Sequence, residues 1–93
     1  MDTALLREMR AMAQEMEDMR KFLETNAPGP ALTKLKHRHE QLEKERNTLA
    51  GRAVKELLFL YARKTSDAGG DKEYGRQAAL NHCCRLRGQF NYI

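Results

Sequence analysis

An unbroken heptad seam near the start of the chain constrains its fold most. Leu5, Met9, Met12, Met16, Met19 and Leu23 follow one another at intervals of 4, 3, 4, 3 and 4 residues. That spacing puts all six on one face of an amphipathic α-helix. Asp2 or Thr3 can cap its start by accepting a backbone N–H. Asn26-Ala27-Pro28-Gly29-Pro30 ends it, because proline lacks the N–H of a helix interior and forces the preceding residue out of the α region. The pattern predicts a helix over about 3–26, a turn at 27–30, and a second helix with Gly29 as its cap and Pro30 in first position.

The second seam runs Leu32, Leu35, His39, Leu42, Arg46, Leu49 and Ala53, again with heptad spacing. It predicts one helix over about 30–64, roughly 50 Å long at 1.5 Å per residue. Thr65-Ser66-Asp67-Ala68-Gly69-Gly70 reads as a linker over 65–70. Asp71 then suits the cap of a third helix over about 71–90, with Ala79, Cys83, Leu86, Phe90 and Ile93 alternating by four and three. Gly75 and Gly88 inside it each cost about 1 kcal/mol relative to alanine. Gly51 suggests a close helix approach, with a hinge as the alternative. The sequence carries no strand pattern, repeat or low-complexity tract. The expected fold is therefore all-α and a single helical domain over 1–93: an antiparallel, coiled-coil-like hairpin plus a third, C-terminal helix.

The two seams can be paired. Facing residues in an antiparallel hairpin have position numbers with a constant sum, and Leu23 with Leu35 through Leu5 with Ala53 all give 58, centred on Gly29. In this register the methionines are hairpin core. His39 and Arg46 face methionines, and Arg46 can reach Glu15 or Glu45 and relieve their repulsion.

The first helix runs out opposite Ala53, yet Val54, Leu57, Leu58, Phe59, Leu60 and Tyr61 follow, apolar on every side. Such a run is a buried run. A 93-residue chain buries a comparatively small fraction of its surface alone. The expectation is a homodimer, assembled as a dimeric helical bundle through Val54, Leu57, Leu58, Phe59 and Tyr61 with Leu86 and Phe90. Tyr74 is a further partner for the apolar run, and five of the six aromatics lie between Phe59 and Tyr92. Another helical protein is the second candidate partner.

Charge supplies the competing reading. The net charge is +4, but residues 27–66 alone carry nine bases and four acids. On a continuous helix Lys34, Arg38, Gln41, Thr48, Arg52 and Lys55 share a face about 32 Å long, with Glu45 in its middle and Lys36 nearby. Doubled in a homodimer, such a ridge could follow the phosphates of double-stranded RNA or DNA independently of sequence.

Other classes find little support. No stretch approaches the roughly 20 apolar residues of a membrane span, and the N-terminus lacks the apolar core of a secretory signal. Adjacent Cys83 and Cys84 cannot staple distant segments, which favours a reducing, intracellular setting, cytoplasmic or nuclear. On a helix they point about 100° apart, unsuited with His82 to one tetrahedral metal ion. Cys83 falls on the apolar seam as a small core residue. Cys84, if exposed beside Arg85 and Arg87, could be redox-sensitive. There is no phosphate-binding loop, dinucleotide fingerprint or nucleophile elbow, so no catalytic residue, metal or cofactor is expected. The sequence reads as a non-enzymatic, self-associating helical module, an adaptor, scaffold or oligomerisation unit.

Overall fold

The computed structural model describes residues 2–90, which form four α-helices: α1 (Thr3–Thr25), α2 (Pro28–Glu43), α3 (Leu49–Asp67) and α4 (Lys72–Phe90). The described residues contain no strand. Tyr92 and Ile93 lie outside them.

The helix ends follow local chemistry. Asp2 caps α1, its side chain accepting from the Ala4 N–H at 3.0 Å. Asn26 closes the other end, donating from Nδ2 to the Phe22 carbonyl at 2.8 Å. α2 starts two residues earlier than the pattern predicts, with Pro28 in first position and Pro30 still in the first turn. Proline is tolerated there because the first N–H groups have no intrahelical acceptor. At the end of α3 the Gly70 N–H bonds to the Thr65 carbonyl and the Gly69 N–H to the Ser66 carbonyl. This Schellman arrangement requires the left-handed backbone that Gly69 adopts at φ 68°. Asp71 caps α4 through the Glu73 N–H at 3.0 Å.

The single helix expected over 30–64 does not form. It breaks between Glu43 and Leu49, where Arg46 and Asn47 take φ of 40° and 52°. α3 turns back along α2 far enough for the Tyr61 hydroxyl to donate to the Pro28 carbonyl at 2.5 Å. In a straight helix these residues would stand about 50 Å apart. The turn is stitched from both sides. Thr48 Oγ1 accepts from the Gly51 N–H at 3.0 Å, and Glu8 of α1 accepts from the Leu49 N–H at 2.8 Å. Both are orphan donors of a helix start. Gly51 thus lies in the first turn of α3 rather than mid-helix, and the close approach expected there is to α2, where a Cβ would stand 3.7 Å from Leu42 Cβ.

The paired seams also resolve differently from the expected register. Met12, Met16, Met19 and Leu23 are buried, but α1 packs chiefly against α4 and α3 and touches α2 least. The Cys83 thiol donates to the Met16 carbonyl at 3.0 Å, and Arg76 donates to the Leu23 carbonyl at 2.7 Å, closing the end of α1. Arg46 is an exposed turn residue rather than a seam residue. Glu15 instead takes a two-pronged bond from Arg38, at 2.9 and 2.6 Å. His39 lies 3.1 Å from Glu43 on its own helix, near enough for ion pairing but not aligned for a hydrogen bond.

All four helices contribute to one core cluster. The accessible surface of 5820 Å² is close to the roughly 5500 Å² that a free-standing folded monomer of this mass exposes. The radius of gyration, 13.1 Å, likewise sits near the ~12 Å of a compact chain of this length. Folding back α3 lets the chain close its own core.

α3 and α4 approach closely at Gly75. A Cβ there would stand 1.9 Å from Thr65 Oγ1 and 2.6 Å from the Tyr61 carbonyl oxygen. The glycine that weakens α4 by propensity is what permits the approach. Gly75→Ala is expected to cost at least the 1–3 kcal/mol typical of overpacking, read as a lower midpoint in urea unfolding. At the other special site, Arg46→Gly relieves a left-handed backbone that costs a non-glycine residue about 1–2 kcal/mol. It should raise the melting temperature, whereas Arg46→Val lowers it.

Candidate interaction surface on α3 and α4

Of the seven side chains expected at a dimer interface, three are spent on the chain's own core. Val54, Leu57 and Tyr61 have no exposed surface, because α3 lies against α2 and α4 instead of extending beyond α1. Burial raises the pKa of the Tyr61 phenol, whose proton is committed to Pro28. Leu58, Leu86 and Phe90 are half-buried and pack against the same core. Of the seven, Phe59 alone is exposed, at 58%, the highest among the large apolar side chains of the described residues. Tyr74, expected to help cover the apolar run, points away at 52% exposure.

Phe59 belongs to a shallow groove of about 520 Å³ between α3 and α4, lined also by Glu56, Leu60, Arg63, His82 and Arg85. One wall is ordered by side-chain contacts. Glu56 Oε1 lies 2.8 Å from His82 Nε2, and Arg85 Nη2 lies 3.1 Å from His82 Nδ1. Arginine can only donate, so Nδ1 accepts, and the neutral tautomer then directs its Nε2 proton to Glu56. The Lys55 ammonium sits 5.7 Å from the Phe59 ring centroid, a cation–π distance. The groove is thus an apolar centre framed by charges of both signs. Sequence reasoning included Phe59 and Leu60, weighed His82 and Arg85 only beside the cysteines, and missed Glu56 and Arg63. A helical wheel carries part of the signal, since Phe59 lies about 160° from buried Leu57 at 100° per residue.

A second groove, about 490 Å³, separates α1 from α2, with Met19 and Phe22 among its lining residues and the Glu15–Arg38 fork also bordering it. Glu15 is itself 7% exposed, and its charge is matched by a guanidinium whose own pKa this bond raises.

The basic ridge is divided by the turn. Lys34, Lys36 and Gln41 are exposed on α2, and Arg52 and Lys55 on α3. Arg38 is bound to Glu15 and Thr48 caps α3. Because α3 runs back along α2, these groups do not form the 32 Å straight line that a continuous helix would give. A pocket of about 110 Å³ at the corner brings Leu42 and Glu43 beside Arg52 and Lys55.

The His82-Cys83-Cys84 run places Cys83 wholly inside the core. Burial pushes its thiol up to about 12, which suppresses the thiolate needed of a nucleophile or metal ligand. Cys84 is half-buried against the core. Among the described residues no group of three or more His, Cys, Asp or Glu side chains is placed to hold a metal ion, and no helix is long and apolar enough to cross a membrane.

The chain matches no protein-family model, and no curated protein or solved structure is significantly similar to it.

An ion-pair network ties α4 to α1. Glu17 accepts from Arg20 at 2.6 and 3.1 Å and from Arg87 at 2.6 Å. The two guanidiniums hold its carboxyl at about 2, down from an ordinary 4.5. A carboxyl depressed on folding stabilises fully above its unfolded pKa and ceases to as pH falls through the folded value. Glu73, lowered by its bond to Arg76, acts in the same direction. Melting temperature should therefore be level above about pH 5 and fall between about pH 5 and pH 2. Arg87→Gln should shallow that fall, and equal melting temperatures at both ends of the window would show that the pair contributes nothing.

Proposed function

We propose that the chain is a non-enzymatic helical interaction module that self-associates through the α3–α4 face around Phe59, serving as an adaptor or oligomerisation unit. The observation that carries this reading is the 58% exposure of Phe59 on a bundle whose core is otherwise closed. A fully buried phenylalanine side chain contributes about 1.5–3 kcal/mol by area, and its neighbour Leu60 is also part-exposed beside the groove. An apolar centre with a polar rim is the usual anatomy of a contact surface. Association of this kind adds to a folded chain and does not complete its core. Duplex binding is the weaker reading, because its ridge is split between two antiparallel helices.

Sedimentation equilibrium across micromolar concentrations tests the proposal. The wild-type mass should rise with concentration, and Phe59→Glu should hold the chain at one protomer. Since Phe59 lies outside the core, the variant should keep its helical circular dichroism and unfold within about 0.5 kcal/mol of wild type. A wild-type chain that stays monomeric at high micromolar concentration defeats the reading.

A further inference from the structure

Along the exposed side of α3, Arg52, Glu56, Phe59, Leu60, Arg63 and Asp67 form one stripe, with Leu60 at its edge. Their order is base, acid, apolar, apolar, base, acid. Reversed, the same order is acid, base, apolar, apolar, acid, base, so every charge meets its opposite. From this we infer that the stripe docks on the α3 stripe of a second copy in antiparallel orientation, with the two-fold axis between Phe59 and Leu60. Arg52 then faces Asp67 of the partner subunit, Glu56 faces Arg63 of the partner subunit, and Phe59 packs against Leu60 of the partner subunit. Each pair has position numbers summing to 119.

This inference rests on the self-association proposed above and specifies its geometry. A two-fold contact must be self-complementary, each residue meeting its mate twice, and the antisymmetric charge order satisfies that demand. Helical-wheel positions agree. At 100° per residue, the members of each pair lie on opposite sides of the stripe's midline, as layer partners do between antiparallel helices. Among the described residues, no ion pair engages Arg52, Arg63 or Asp67. Glu56 offers Oε1 to His82 and keeps its other oxygen. Parallel alignment or a shift by one turn sets like charges together. Exposed pairs contribute little strength each, so their role is to choose register while Phe59 and Leu60 supply the attraction.

Charge exchange tests the register, with dissociation constants from sedimentation velocity and circular dichroism to confirm folding. Glu56→Arg alone and Arg63→Glu alone should each weaken the dimer about tenfold or more, through repulsion applied twice. The double variant Glu56→Arg/Arg63→Glu, and an equimolar mixture of the two single variants, should both return to within about threefold of wild type. Added salt should weaken the wild-type dimer and strengthen the single variants. A wild-type dimer that neither single substitution weakens overturns this arrangement while leaving self-association through Phe59 standing. Single variants that weaken without rescue in the double variant or the mixture also overturn it. A wild-type chain that remains monomeric overturns both, and leaves the stripe to a different helix.

Discussion

Everything in this fold depends on the reversal of the chain at Arg46 and Asn47. The residues that follow are its most apolar run, and α1 is too short to shelter them if α2 simply continues. Two left-handed, non-glycine residues cost about 1–2 kcal/mol each. Burying Val54, Leu57 and Tyr61 returns about 1.5–3 kcal/mol apiece. Burial outweighs the turn, and Glu8 and Thr48 add bonds to N–H groups that the break would otherwise leave without acceptors.

Once α3 lies back along α2, the remaining contacts are forced into place. α4 fills the channel between α1 and α3, approaching α3 where Gly75 removes the obstruction and α1 where Cys83 meets Met16. Arg76 and Arg87 then serve as cross-links to α1, one satisfying the Leu23 carbonyl and the other the Glu17 carboxylate. α2 remains the outlier, held to α1 by the Glu15–Arg38 fork across an open groove. The same packing that hides most of the apolar run leaves Phe59 outside, because a helix resting on neighbours along one side must present its other side to water.

An excess of apolar residues in a short chain admits two physical solutions, a partner or a turn. A homodimer that completes the core requires Val54, Leu57 and Tyr61 at a surface, and the turn removes them from it. What is left exposed is a smaller, mixed face, where Phe59 lies among charges of both signs. Such a face suits exchangeable contacts between already folded chains better than obligate assembly.

Helix content, the apolar face of α1, the Asp2 and Asp71 caps and the stop at Gly69-Gly70 were legible in the sequence. The caps and the stop were so because they rest on interactions within a few residues, although α3 runs three residues into the expected 65–70 linker before it ends. The break in the second helix was not legible, because the heptad pattern passes through Arg46 unbroken and no proline or glycine marks residues 44–48. Asn47-Thr48 was the one local hint, Asn tolerating a left-handed backbone and Thr suiting a cap. Which helix α1 chooses as neighbour was equally hidden, since two apolar seams can always be matched by arithmetic. Periodicity determines which side of each helix seeks burial; only the closed tertiary structure decides what buries it, because that choice is made by the total area removed from water across all four helices at once.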